Sequence, residues 1–274
     1  MNEIKNDENV FFNTITNEEK LIETENLSVG YENKLLISEI NFCVNSGEIV
    51  TLIGPNGSGK STVLKTIAKQ IKSKGGRISI LGKEISNLRE SEIAKKISLV
   101  MTERIRPELM TCRDVVATGR FPYTGRLGLL GEKDWKIVDD AIKLVHAEKI
   151  AGRNFLETSD GQRQRIMLAR AICQDTQVII LDEPTSFLDM FYKIDIIRTI
   201  WKLARTQKKS IVMSLHELDL VRAVSDKIIC VDGNSVCKIG SVSDVFCGGF
   251  IQKLYGLNED EFDEQTGTMK LNLR

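Results

Sequence analysis

The positions of apolar and polar residues predict strands and helices that alternate along most of the chain. Short apolar runs, typical of buried strands, occupy residues 48–53, 177–181, 210–215 and 227–231. Apolar residues recur at helical spacing over residues 62–70, 192–204 and 217–224. Buried strands that alternate with helices indicate an α/β fold with a mainly parallel sheet covered on both faces.

Other segments depart from this alternation. Ile40, Phe42 and Val44 stand at every second position, and residues 77–81 form another apolar run, so we predict an antiparallel β subdomain. Residues from about 86 to 160 predict a helical insertion, with helices at 113–118 and around the apolar positions Ile137, Ala141, Ile142, Leu144 and Val145. Residues 119–131 contain Pro122 and four glycines, and we predict a loop there.

The ends of the chain differ in composition from its middle. Residues 1–20 are rich in Asn, Glu and Thr, and we expect a mobile N-terminal extension. One domain is expected over residues 21–240. Residues 241–274 are expected to form a C-terminal tail that packs on this domain or trails behind it.

Charge and cysteine content narrow the function classes. The 38 Lys and Arg residues balance the 38 Asp and Glu residues, and the formal net charge of zero argues against broad capture of nucleic acid. No apolar run approaches the roughly 18 residues of a bilayer-spanning helix. The polar N-terminus lacks the apolar core of a signal peptide, so we expect the chain in the cytoplasm. The six cysteines include no C-x-x-C pair and are expected as free thiols.

The most informative motif lies between the strand at 48–53 and the helix at 62–70. It matches the P-loop pattern G-x-x-x-x-G-K-[ST] and comprises Gly54, Pro55, Asn56, Gly57, Ser58, Gly59, Lys60, Ser61 and Thr62. Its glycines let successive N–H groups face phosphate oxygens, and the helix start adds a positive dipole end. We expect Lys60 to reach the β- and γ-phosphates and Ser61 to bind Mg²⁺. The full match in this context favours nucleotide binding over a glycine-rich turn without ligand.

A second motif supplies the groups that phosphoryl transfer needs. Asp182 and Glu183 end a buried strand, and we expect Asp182 to organise Mg²⁺ and Glu183 to act on the attacking water. His216 follows the strand at 210–215, at the sheet edge where ligands bind in open α/β folds. We expect its neutral imidazole to contact the γ-phosphate and the water. The alternatives are a solvated acidic pair and a structural histidine.

Residues 158–165 carry a specific family resemblance. Their sequence, Thr-Ser-Asp-Gly-Gln-Arg-Gln-Arg, resembles the L-S-G-G-Q signature and following basic helix of ATP-binding subunits of ABC transporters. The resemblance spans about residues 21–240 and implies the ABC type of P-loop NTPase core. It places Ser159, Gly161 and Gln162 against ATP held by a second subunit.

The same resemblance implies roles for other residues. Tyr31 takes the place of the aromatic residue that stacks on adenine, and His216 that of the switch histidine. Residues 186–189 resemble the D-loop, which contacts the partner subunit.

Three positions depart from the family pattern. Thr158 replaces the usual Leu, and Asp160 replaces the usual Gly. A carboxylate near a triphosphate is unfavourable unless it points away or pairs with a base. The resemblance implies that the strand before the helical insertion is residues 97–103. Thr102 in it stands where a Gln usually touches Mg²⁺, so we expect Thr102 or Glu103 to substitute.

The resemblance also implies partners. The chain is expected to work as an ATP-sandwich dimer, with ATP and Mg²⁺ as cofactors. The helical insertion would pass its motion to integral membrane permease subunits at the cytoplasmic face of the membrane, and thus indirectly to a substrate-binding protein. Residues 115–123 resemble a stretch in importers of iron–siderophore, haem and cobalamin complexes.

Two other functions fit the sequence less well. A soluble ABC-type ATPase acting on nucleic acid or ribosomes is disfavoured by the zero net charge and the single ATPase unit. A weakly hydrolysing regulatory subunit is suggested by Thr102 and Asp160, but intact Lys60, Asp182 and Glu183 argue against it.

Overall fold

The computed structural model describes residues 19–32, 34–101, 105–125 and 128–270. The strands are β1 (Lys20–Tyr31), β2 (Lys34–Asn45), β3 (Ile49–Ile53), β4 (Gly75–Ile80), β5 (Lys83–Glu84), β6 (Ile97–Val100), β7 (Val178–Asp182), β8 (Ser210–Ser214), β9 (Lys227–Val231), β10 (Val236–Gly240), β11 (Phe262–Asp263) and β12 (Thr268–Met269). The α-helices are α1 (Lys60–Ile67), α2 (Glu90–Ile93), α3 (Cys112–Ala117), α4 (Glu132–Leu144), α5 (Asp160–Cys173), α6 (Met190–Gln207), α7 (Leu218–Val224), α8 (Val242–Val245) and α9 (Phe250–Tyr255). Short 3-10 helices occupy Ile85–Asn87, Thr118–Tyr123, Glu148–Ile150 and Phe155–Glu157.

The larger sheet of the described chain has six strands in the order β10-β9-β3-β8-β7-β6. Strands β9 to β6 run parallel to their neighbours, and β10 is antiparallel to β9. Every residue of β3, β7 and β8 is buried, as expected for central strands covered on both faces. Because parallel strands end at the same edge, the residues that follow these three strands lie side by side.

The predicted antiparallel subdomain is the sheet β2-β1-β4-β5. Ile40 and Val44 are fully buried and Phe42 nearly so, whereas Asn41 between them is exposed. This alternation confirms the half-buried strand expected at that position. The buried face of the small sheet packs against one face of the larger sheet and against α1.

The opposite face of the larger sheet is covered by helices α3 to α7. Their buried side chains, together with the alternate residues of β3, β7 and β8, form the larger of the two apolar cores of the described residues. The mainly parallel α/β architecture expected from the sequence is confirmed. Among the residues that the structure describes, no helix is both long enough and apolar enough to cross a bilayer.

Two sequence-based limits need correction. β6 pairs with β7 in the larger sheet, so residues 97–100 do not belong to the helical insertion predicted for about 86–160, and its predicted start was too early. The loop predicted at 119–131 was wrong for its first residues, since Thr118–Tyr123 form a 3-10 helix. That helix packs closely on α5, because a Cβ on Gly119 would lie 2.4 Å from the carbonyl oxygen of Arg170. Pro122, the fifth of its six residues, has no backbone N–H to donate, and the helix ends one residue later.

Residues 241–270 pack on the domain. Val245, Phe246, Ile251 and Phe262 are buried in the same core as helices α3 to α7. The predicted N-terminal extension at 1–20 lies almost wholly outside the described residues.

Candidate functional site

A cleft of about 760 Å³ opens where β3, β7 and β8 end. It gathers most of the residues that the sequence singled out, and it is lined by Tyr31, Leu36, Asn56, Gly57, Ser58, Gly59, Lys60, Ser61, Thr62, Glu183 and His216. The parallel strands β3, β7 and β8 bring the P-loop, Glu183 and His216 together, and the antiparallel sheet adds Tyr31 and Leu36 from β1 and β2. The cleft is therefore a product of the sheet topology.

The loop between β3 and α1 has the conformation of a phosphate cradle. Gly59, directly before α1, has φ +96°, a conformation that favours glycine, and a Cβ there would lie 2.9 Å from the side chain of Ile37. The Ser58 hydroxyl is buried and finds no hydrogen-bond partner within the described part of the chain. A buried donor without a partner is costly, so this hydroxyl is suited to a polar ligand.

Lys60 points back into this loop. Its Nζ donates to the carbonyl oxygens of Gly54 (2.8 Å) and Pro55 (2.9 Å). Burial lowers the pKa of Lys60, and the nearby carboxylates of Glu183 and Asp182 act in the opposite direction. The loop thus holds a largely desolvated cation at its centre.

Asp182 is held by two hydroxyl groups. Ser61 Oγ donates to Asp182 Oδ1 over 3.0 Å, and Ser214 Oγ donates to the same oxygen over 2.7 Å. Ser214 also accepts a hydrogen bond from the backbone N–H of Glu183 (3.0 Å). The sequence reasoning missed Ser214, although a polar residue that ends an apolar strand just before His216 was a usable signal.

Both carboxylate oxygens of Glu183 are hydrogen-bonded. His216 Nε2 lies 2.6 Å from Oε1, and Ser186 Oγ donates to Oε2 over 2.9 Å. An ionised carboxylate only accepts, so Nε2 carries the proton when Glu183 is charged. Glu183 has φ +51°, uncommon for a residue with a side chain. The turn after β7 therefore directs Glu183 towards His216 and the cleft.

Tyr31 lies at the rim of the cleft and is 45% exposed. Its hydroxyl accepts a hydrogen bond from Thr62 Oγ1 over 3.1 Å. The ring is thus fixed to the start of α1, with much of its surface free for a ligand.

The signature residues line a different cavity, of about 400 Å³. Ser159 caps α5, since its hydroxyl accepts from the N–H of Gln162 (3.3 Å) while Gln162 Oε1 accepts from the N–H of Ser159 (3.1 Å). Gly161 is packed against the D-loop, and a Cβ there would lie 3.3 Å from the carbonyl oxygen of Phe187. The structure brings the P-loop, Glu183 and His216 together, and it leaves Ser159, Gly161 and Gln162 on another surface of the same chain.

The two unusual signature residues have local explanations. Thr158 is buried, and its hydroxyl donates to the carbonyl oxygen of Phe155 over 2.7 Å. Asp160 pairs with Arg163, whose Nη1 donates to Oδ1 over 3.1 Å. The extra carboxylate is therefore matched by a base one turn along α5. Thr102 and Glu103 lie outside the described residues.

Comparison with known proteins agrees with this architecture. The ABC transporter family model matches residues 37–186. An uncharacterized ABC transporter ATP-binding protein of Methanocaldococcus jannaschii is 43% identical over 251 residues, 92% of this chain and 87% of that protein. The iron(3+)-hydroxamate import ATP-binding protein FhuC of Bacillus subtilis is 31% identical, over 87% of this chain and 89% of that protein.

A solved structure of similar fold was determined with nucleotide bound. A dimeric ATP-binding cassette in a post-hydrolysis state, bound to ADP and Pi, has a TM-score of 0.72 and 26% identity, covering 80% of this chain and 98% of its own. Its fold, the family match and the relatives all point to the same class of protein. The chain belongs to the ABC transporter family, as one of its ATP-binding, ATP-hydrolysing subunits.

Proposed function

We propose that this chain powers an importer of iron–siderophore or similar metal–chelate complexes, as an ATP-sandwich dimer bound to permease subunits at the cytoplasmic face of the membrane. The main support for the dimer is that the predicted ATP-binding residues are divided between two surfaces of one chain. The P-loop cleft contains Glu183 and His216, whereas Ser159, Gly161 and Gln162 line a separate cavity. Two copies facing each other would complete each cleft with the other copy's signature residues.

Residues 54–62 would hold the triphosphate. The glycine-rich loop and the start of α1 offer backbone N–H groups, and the Ser58 hydroxyl, which has no partner among the described residues, adds a further donor. Lys60 would leave the carbonyl oxygens of Gly54 and Pro55 and turn to the β- and γ-phosphates. The exposed ring of Tyr31 at the cleft rim would stack on the adenine.

Ser61 and Asp182 would hold Mg²⁺. Ser61 Oγ and Asp182 Oδ1 lie 3.0 Å apart where β7 ends beside the P-loop, and hydroxyl and carboxylate oxygens are the ligands that this ion prefers. When bound, the ion neutralises charge on the phosphate oxygens. Thr102 remains a proposed third contributor.

Glu183 would accept the proton of the attacking water. Positioning and electrostatic stabilisation dominate phosphoryl transfer, so the base must also hold the water in line with the γ-phosphate. His216, bonded to Glu183 Oε1, would orient that carboxylate and contact the γ-phosphate. Lys60 would stabilise the charge that develops on the transferred group.

The partner's helix α5 would complete the site. Ser159 caps this helix, and free N–H groups at a helix start favour an anion. Asp160 opposes that attraction, and Arg163 offsets its charge. The pair lets this signature carry an Asp where Gly is usual.

Removing Arg163 tests this balance. We expect Arg163→Ala to weaken ATP-driven dimerisation about fivefold, the upper range for a partly exposed ion pair. Asp160→Gly in the same variant should restore dimerisation, because it removes the unbalanced carboxylate. Both are measured by light scattering with ATP in the Glu183→Gln background. Equal dimerisation of Arg163→Ala and its parent would contradict the role of the pair.

Other observations support the proposed cargo and the proposed membrane partner. FhuC, whose name describes iron(3+)-hydroxamate import, matches over 87% of this chain. Large apolar side chains between β6 and α4 are exposed, as a surface for a permease requires: Leu109, Phe121 and Leu129. Both observations support a transport role.

Transport can be tested in the source cells. Deleting the gene should abolish uptake of radiolabelled ferric siderophore, and the wild-type gene should restore it, whereas the Glu183→Gln gene should not. A tagged chain extracted with mild detergent should carry a polytopic membrane protein with it. Unchanged uptake of iron complexes together with loss of another solute would overturn the cargo. Recovery without any membrane protein would overturn the permease partnership.

A further inference from the structure

Tyr255, the last residue of α9, contacts the P-loop from the far end of the chain. Its hydroxyl accepts a hydrogen bond from the backbone N–H of Gly54 over 3.0 Å, across 201 positions of sequence. Burial raises the pKa of Tyr255 to about 12, so the phenol is neutral at physiological pH. The C-terminal segment thus reaches the first glycine of the phosphate-binding motif.

Gly54 is a position where the loop has little freedom. It has φ +148°, and a Cβ there would lie 1.9 Å from the carbonyl oxygen of Val231 and 3.0 Å from Ser58 Oγ. Gly54 is bonded on both sides, through its N–H to Tyr255 and through its carbonyl oxygen to Lys60 Nζ (2.8 Å). When Lys60 turns to a phosphate, only the bond to Tyr255 remains of these two.

The segment that carries Tyr255 is itself firmly attached. The buried residues Val245 and Ile251 anchor α8 and α9 in the core, and Gly249 N–H donates to Glu264 Oε1 over 2.6 Å. At its far end, a Cβ on Gly267 would lie 3.0 Å from the carbonyl oxygen of Leu218, two residues after His216. The same segment therefore touches both the P-loop and the start of α7.

We propose that Tyr255 is a positioning residue that holds Gly54, and with it the P-loop, in the phosphate-binding conformation while Lys60 changes partners. This inference rests on the assignment of residues 54–62 to the triphosphate proposed above. It makes residues 241–270 a part of the nucleotide site, although the motifs end before residue 241.

Tyr255→Phe tests the proposal, because it removes the hydroxyl and keeps the ring. We expect ATP and ADP to bind about tenfold more weakly in calorimetry, the effect of one net hydrogen bond. KM for ATP should rise by a similar factor with kcat within about twofold, since the variant retains every group placed at the reacting atoms. Amide hydrogen exchange in peptides covering residues 50–58 should be faster than in the wild type without nucleotide.

Tyr123→Phe is the matched control. Its hydroxyl lies 3.5 Å from the carbonyl oxygen of Asp175, and the residues that line the P-loop cleft do not include Tyr123, so nucleotide affinity should match the wild type. Wild-type affinity and exchange in Tyr255→Phe would overturn the inference, as would a lower kcat with unchanged KM. Lys60→Ala separates the two proposals: if it binds ATP as the wild type does, the P-loop assignment itself fails.

Discussion

Replacing Glu183 with Gln should reduce ATP hydrolysis at least a hundredfold while ATP still binds, the range typical for loss of a general base. The amide matches the carboxylate in size, and its single oxygen can accept one of the two hydrogen bonds, from Ser186 or from His216, while its NH2 group faces the other residue. It cannot accept the proton of the attacking water at neutral pH. The variant should therefore accumulate as an ATP-bound dimer.

Phosphate release measures the rate of ATP hydrolysis, and light scattering measures dimer formation. Both are done at protein concentrations that favour the dimer. Glu148→Gln is the matched control, because Glu148 is exposed in a 3-10 helix away from the cleft. It should hydrolyse ATP at the wild-type rate and form no stable dimer. Wild-type turnover by Glu183→Gln would show that another group takes the proton.

Lys60→Ala should lower ATP affinity about a hundredfold and bring hydrolysis below detection, since a charge-assisted hydrogen bond to phosphate is lost. The Nζ is already desolvated within the loop, so its move to a phosphate involves little further loss of hydration. Calorimetry with ATP and with ADP measures the loss for each nucleotide.

Lys72→Ala is its control, because Lys72 is an exposed lysine shortly after α1. It removes the same charge from the chain without touching the cleft, and ATP affinity should stay at the wild-type value. If both lysine variants lost affinity equally, the effect would come from net charge and not from a contact with phosphate.

Local patterns predicted the elements of the fold, and the topology then assembled the cleft. The strand–loop–helix at residues 48–70 and the apolar strands at β7, β8 and β9 were visible because each is a short apolar run with a boundary signal. The 3-10 helix at Thr118–Tyr123 was missed, since a segment with Gly and Pro also fits a loop.

Contacts between distant parts of the chain could not be predicted. Ser214 bridges Asp182 and the N–H of Glu183 only because β7 and β8 are neighbours in register. Tyr255 meets Gly54 only because the segment that carries α8 and α9 packs back on the domain. Neither pairing leaves a periodic or spacing signal in the sequence, so a structure was needed to find them.

The hydrogen bonds around Glu183 bear on how the cell's ATP is conserved. In the single chain each carboxylate oxygen accepts one hydrogen bond, from Ser186 or from His216, so these two residues fix the orientation of the group that would meet the attacking water. Ser186 is the first residue of the segment 186–189, which resembles the D-loop that contacts the second subunit in this family. Docking of a second copy against residues 186–189 would then act on that orientation, and unassembled subunits would consume less of the cell's ATP.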